Sequence, residues 1–191
     1  MKRIIVMGLA GVLTLAQAPT STQGKKPPEI ATDITAAEVQ AALAAPSAIP
    51  DRLMTAVDMG AYNVGVGVLR RGPTRPGAPV GAIEHDQITE VYYIISGTGT
   101  LLTGGSVTNP LSVAADNEIV TTIVGPSKQG TFKEPAQRRK VGSGDVVVIP
   151  PGVYHGFDEV TTGIDYLAVR PDPNKVLPAG YVHPAIKALR K

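Results

Sequence analysis

The chain contains no cysteine among its 191 residues. That absence excludes disulfide cross-links, a thiol nucleophile, a thiolate metal site and a bacterial lipoprotein anchor. Stability must therefore come from a packed core and from any bound metal. Charge is sparse as well, at 18 % of residues, with a net charge of +2. The one dense basic run, Arg138, Arg139 and Lys140 with Lys133 and Glu134 upstream, reads as a solvated strand end or loop, and nucleic acid is not expected as a partner. No G-x-x-x-x-G-K-[ST] is present, so Gly97, Gly99, Gly104 and Gly105 are turn glycines and not a phosphate loop. No G-x-S-x-G is present either, which argues against a serine hydrolase.

Long apolar runs are missing too. The most apolar stretch, Ile4 to Ala16, is too short to span a hydrocarbon core of ~30 Å. It follows Lys2 and Arg3 and precedes small residues in A-x-A spacing at Ala16 and Ala18, which is the pattern of a secretory leader. Cleavage after Ala18 leaves Pro19 at the new terminus, which hinders signal peptidases, so a cut after Ala16 is the alternative. The expected location is periplasmic or secreted, with no membrane span once the leader is removed.

What remains suits one domain with terminal extensions. Hydrophobic residues reach 43 %, and the 21 glycines and 17 prolines suit many short strands joined by tight turns. Residues 1–18 read as the leader, 19–52 as linker and short helix, 53–170 as a barrel, and 171–191 as a C-terminal arm. Thr35 and Glu38 make a capping box, Ile34 and Val39 a hydrophobic staple, and the helix AAEVQAALAA stops before Pro46. From Leu53 the period changes to two. Tyr62, Val64, Val66 and Val68 form a crowded face, and Asn63, Gly65 and Gly67 a thin one. Further strand-like runs include PVGAIEH, ITEVYYIIS, GTLLTG, EIVTTIV, RRKVG, GDVVVIP, VYHGF and IDYLAVR. Short strands without intervening helices predict an antiparallel sandwich or barrel. Thr103 to Gly142 reads as an inserted excursion with one or two strands of its own, and Ala185 to Arg190 as a short terminal helix.

The chain has three histidines, and two sit in specific surroundings. In GDVVVIPPGVYH, residues 144 to 155, an apolar β-branched run is followed by a proline-glycine turn and then His155. This resembles the second motif of the cupins, G-x5-P-x-G-x2-H-x3-N, at Gly144, Pro150, Gly152 and His155, with Glu159 in place of asparagine. HDQITEVYYIISG, residues 85 to 97, resembles the second half of the first cupin motif, G-x5-H-x-H-x4-E-x6-G, at His85, Glu90 and Gly97. Ile83 stands where the motif has its leading histidine. His85 and Glu90 have opposite parity, so both reach one interior point only if Asp86 to Ile88 forms a tight turn or bulge. Tyr92 and Ile94 then share the face of Glu90 and line the cavity. His183 lies outside both motifs and reads as a surface or interface residue.

The resemblance spans Met54 to Arg170 and implies an all-β fold, an antiparallel double-stranded β-helix of jelly-roll type. It implies one divalent ion per chain (iron, manganese, nickel, copper or zinc) held by His85, Glu90 and His155. Gln87, or a tyrosine such as Tyr92, is a further ligand candidate. Two imidazoles and one carboxylate leave positions open for substrate, water or dioxygen. The expected function is a metal-dependent enzyme acting on a small molecule, with dioxygenase-type oxidation the leading class. The alternatives are a metal-assisted lyase or isomerase, in which Tyr92, Tyr154 or Glu159 moves a proton, and a non-catalytic cupin that binds a sugar or small organic acid, with or without metal. Cupin barrels often pair, and the stripe containing Val39 and Leu43 suggests a homodimer; the opposing reading is that this helix covers its own barrel.

Overall fold

The computed structural model describes residues 26–191; the expected leader lies outside the described residues. Ten strands follow a short helix: α1 (Ala36–Ala44), β1 (Asp51–Asp58), β2 (Asn63–Arg71), β3 (Gly81–His85), β4 (Glu90–Thr103), β5 (Ser106–Ser112), β6 (Ser127–Glu134), β7 (Gln137–Gly142), β8 (Val146–Ile149), β9 (His155–Asp158) and β10 (Ile164–Asp172), closed by α2 (Pro184–Leu189). Every strand pair is antiparallel. The strands curl into a double-stranded β-helix, as the motifs implied.

β4 belongs to both walls. Its first half pairs with β10 and β8, and its second half, from Thr98, pairs with β7 and β9. The bend falls at Gly97, which has a φ of 79° and lies so close to Gly163 that an added Cβ would meet the Gly163 carbonyl oxygen at 2.0 Å. Only glycine fits there. One wall then runs β1-β2-β10-β4-β8, and the other β5-β6-β3-β9-β4-β7.

The thin face of β2 is the inner one. Asn63, Gly65, Gly67 and Leu69 are buried towards the barrel, while Val66 and Val68 pack outward against the helices. Gly67 is small because the guanidinium of Arg170, from neighbouring β10, fills that space; an added Cβ would sit 2.5 Å from its Nη1. The barrel core gathers Tyr92, Ile94, Leu101, Phe157, Ile164 and Tyr166.

The capping box of α1 is present: Thr35 N–H donates to Glu38 Oε2 at 2.8 Å, and Glu38 N–H donates to Thr35 Oγ1. Ala42 and Leu43 pack with Met54, Val68 and Ile186, with Ile34 and Val39 against the same cluster. The helix thus covers its own barrel, which removes the residue-level motive for a dimer built on that stripe.

Two expectations change. EIVTTIV is not a strand: Ile119–Ile123 form a single π-helical turn. Asn117 overrides the β-propensity of the run. Its Oδ1 accepts Ile119 N–H at 2.9 Å, and its carbonyl accepts from Val120 and Thr121. The excursion after Thr103 also holds three strands, β5 to β7, instead of one or two.

Candidate metal centre

Three short segments converge on one interior point. β3 ends at His85, the chain bends at Asp86–Gln87, and β4 starts at Glu90. The bend is tied down by Asp86 N–H donating to Pro126 O and by Gly152 N–H donating to His85 O, both at 2.9 Å. This turn resolves the parity conflict between His85 and Glu90. The Pro150-Pro151-Gly152 turn delivers His155 to the start of β9, where it pairs with Ile83 and Thr103.

His85 Nε2 lies 3.4 Å from Glu90 Oε2, and His155 Nε2 lies 3.3 Å from the same oxygen. All three side chains are buried, and their ligand atoms lie within 4.8 Å of one another. The outer nitrogens fix the tautomers. His155 Nδ1 is 3.0 Å from the carbonyl oxygen of Val153, which can only accept, so Nδ1 carries the proton. His85 Nδ1 is 2.9 Å from Ser127 Oγ, whose own proton goes to Gly125 O at 2.8 Å. Ser127 therefore accepts from His85 Nδ1–H. Each imidazole then presents its Nε2 to the same carboxylate oxygen, Glu90 Oε2. This set of two imidazoles and one carboxylate could hold one metal ion.

Glu90 is held as an anion. Burial works against its charge, but Arg170 and then His85 more than offset that and keep its carboxyl well below the usual range. Arg170 Nε donates to Glu90 Oε1 at 2.9 Å, leaving Oε2 to face the histidines. The other side of Arg170 pairs with Asp51. Tyr92 O–H donates to Glu90 Oε2 at 2.7 Å. Burial, then the nearby Glu90 charge, push this phenol well above its ordinary value, so it keeps its proton.

The site opens into a cavity of about 500 Å³. Ile83, His85, Glu90, Tyr92 and His155 line it, together with Leu69, Arg71, Ile119, Ile123 and Phe157. Ile94 belongs to the core and does not line the cavity. Gln87 is also off the lining, because the bend at Asp86–Gln87 carries it away from the inner face. Tyr154 lies beside Glu84, Lys128 and Asp86, outside the cavity. Glu159 has a side chain that is 57 % exposed, accepts a hydrogen bond from Thr100 Oγ1 and lies 3.6 Å from Arg138. Its φ of 52° is one that asparagine, the motif residue, tolerates better. Tyr154 and Glu159 are therefore not placed to move a proton at the metal face; of the three expected acid–base residues, only Tyr92 reaches it.

Sequence reasoning missed Arg71, Arg170, Asp51 and Ser127. The first two carried a signal. Arg71 follows Asn63, Gly65, Gly67 and Leu69 in inward parity, and Arg170 follows Ile164, Tyr166 and Ala168. A charged residue on an inward face needs a partner or a function.

The shared long strand, the curled antiparallel walls and the histidine–glutamate–histidine centre at the two motifs decide the fold. It is a double-stranded β-helix barrel. No protein-family model and no curated protein matches the chain. Among solved structures it is similar to BH2720 from Bacillus halodurans, at 13 % identity over 86 % of this chain and 99 % of that one, with a TM-score of 0.46. It is also similar to an uncharacterised conserved protein with a double-stranded β-helix domain from Klebsiella pneumoniae, at 14 % identity over 75 % and 93 %, with a TM-score of 0.44. A third likeness is to the DMSP lyase DddQ from Ruegeria pomeroyi, at 16 % identity over 62 % of this chain, with a TM-score of 0.37. The chain spans only 42 % of the length of that lyase, and 20 % of an 11S globulin from Wrightia tinctoria that it also matches.

Proposed function

We propose that this cupin is a metal-dependent enzyme acting on a small organic molecule, with dioxygen-dependent oxidation as the leading reaction class. The observation that supports it is the facing set of His85 Nε2, His155 Nε2 and Glu90 Oε2 at the wall of a 500 Å³ cavity. A divalent ion held by these three atoms would supply Lewis acidity and, for a redox-active metal, electron transfer to dioxygen. The chain's own residues do the rest. Ser127 and Val153 hold the imidazole tautomers, and Arg170 fixes the carboxylate from behind. Ile83, Ile119, Ile123 and Phe157 exclude water from the cavity wall. Metal analysis of the full chain followed by dioxygen uptake on catechols, flavonoids and hydroxy acids tests the reading. Turnover without dioxygen consumption would remove oxidation.

A second reading, a lyase or isomerase, is favoured by Tyr92. Its hydroxyl stands on the cavity wall with a proton already directed at Glu90 Oε2. Such a group can give a proton to a substrate atom that displaces this bond. A Tyr92→Phe variant that binds substrate normally but loses turnover under anaerobic conditions supports this second reading. Ligand-induced melting shifts without turnover in either atmosphere indicate a binding protein instead. The proposal includes export and a homodimer, to be read from the mature N-terminus in periplasmic or culture fractions and from light scattering.

A further inference from the structure

Among the described residues, Arg71 is the charged residue of the cavity with no acidic side chain paired to it. It sits at the end of β2 on the inward face and lines the same space as the metal centre. Among the described residues its one hydrogen bond runs from Nε to the Tyr166 hydroxyl, at 2.8 Å. Burial raises the Tyr166 phenol, so this neighbour stays neutral and does not compensate the guanidinium. The acids of the cavity wall, Asp51 and Glu90, are both engaged by Arg170.

The Arg71 guanidinium is also held in place. Its carbon lies over the Phe157 ring, 5.6 Å from the centroid, so one face is stacked and one edge is bonded. What remains is the terminal pair of nitrogens. Arginine presented in this way binds a carboxylate through two parallel N–H bonds. The cavity wall offers apolar side chains from Leu69, Ile83, Leu111, Ile119 and Ile123, beside polar ones from Asn109, Gln129 and Thr131.

We propose that Arg71 is the carboxylate-binding residue of this cavity and that the substrate is a small organic acid with an apolar body. The inference rests on the cavity being the substrate site of the proposed function. The apolar body lies against the isoleucines, and the acid group on Arg71 orients it so that the far part of the molecule faces His85, Glu90 and His155. Arg71 is a substrate-binding residue in this assignment.

Benzoate and benzamide, equal in shape and different in charge, are the probes. Their affinities are measured by calorimetry on the full chain, once after chelation and once loaded with manganese. Benzoate is expected to bind at least about tenfold more tightly than benzamide in both forms, as a desolvated charge-assisted pair allows. Arg71→Gln should bring benzoate down to the level of benzamide and leave benzamide unchanged. Arg71→Lys, which keeps the charge and a long stem, should fall between and covers the case in which the glutamine variant fails to fold. Equal affinity of the two probes overturns the proposal. So does a benzoate preference that vanishes on chelation and ignores Arg71, because the carboxylate then sits on the metal. Tighter binding of phenyl phosphate than of benzoate overturns the carboxylate assignment. A chain that holds no metal but keeps the Arg71-dependent preference supports the proposal while removing the metal reading, so the two can fail separately.

Discussion

Arg170 Nε donates to Glu90 Oε1 at 2.9 Å, joining residues 80 positions apart across the inner face of one wall. Arg170 is fully buried and pairs with Asp51 on its other side. The guanidinium thus pairs with the buried Glu90 and the half-buried Asp51, and Glu90 belongs to the candidate metal cluster.

Removing that cation leaves both carboxylates without their partner. Arg170→Met is expected to cost about 3–5 kcal/mol, the range for breaking one side of a buried ion pair. Urea unfolding of the metal-free protein measures it. A loss below about 1 kcal/mol, within the range of an exposed pair, would show that the two acids find other compensation.

The metal centre makes a stoichiometric prediction. Wild-type chain should carry close to one metal, and His155→Ala should lose most of it, because the remaining pair cannot close a stable face. Elemental analysis decides the matter. Full occupancy in the variant would reject His155 as a ligand.

Ile83 offers a gain-of-function test. It lines the cavity directly opposite His155 in the β3–β9 pairing and shares the inward face of β3 with His85. Ile83→His adds an imidazole next to the three existing donors. Metal dissociation, followed by a chelating dye, should slow by about tenfold or more as a fourth ligand closes the face. An unchanged rate would mean that the new ring cannot reach the ion.

Much of this site was legible because its signals are local. The glycine and proline turns around His155 and the spacing of His85, Glu90 and Gly97 each mark a short piece of chain whose geometry follows from its own residues. The need for a turn between His85 and Glu90 followed from parity alone, and the chain bends there at Asp86–Gln87. The capping box of α1 was legible for the same reason. What was not legible depended on distant partners. The thin face of β2 acquires meaning only when β10 brings Arg170 beside Gly67. The π-helical turn at Ile119–Ile123 defeats a β-branched run through hydrogen bonds to Asn117 and a wall of cavity to fill. Tyr154 adjoins a motif residue and Glu159 occupies a motif position, yet the chain carries both to other surroundings.

The outer helix separates barrel support from association. Leu43 is buried with Met54, Val68 and Ile186 on the barrel's own outer surface. Leu43→Ala should therefore lower stability by about 2–5 kcal/mol, as for a large-to-small core change. Light scattering on the same variant should give the wild-type mass. A change of mass at unchanged unfolding midpoint would return this helix to an interface.

Gly67 links the fold to the site. A methyl group there would meet Arg170 Nη1 at 2.5 Å and Asp51 Oδ1 at 3.2 Å. A flexible side chain could usually step aside, but Arg170 is fully buried and held by Glu90 on one side and Asp51 on the other. Gly67→Ala should thus cost about 1–3 kcal/mol, the range for overpacking, and should weaken metal binding by displacing the group that orients Glu90. If the clash with Arg170 is the cause, the effects cannot be additive. In the Gly67→Ala, Arg170→Met double variant the obstructing guanidinium is gone, so the glycine change should add little beyond Arg170→Met alone. Unfolding free energies for the four proteins complete the cycle. Strict additivity would place the cost of Gly67→Ala in the backbone of β2 and not in its contact with Arg170.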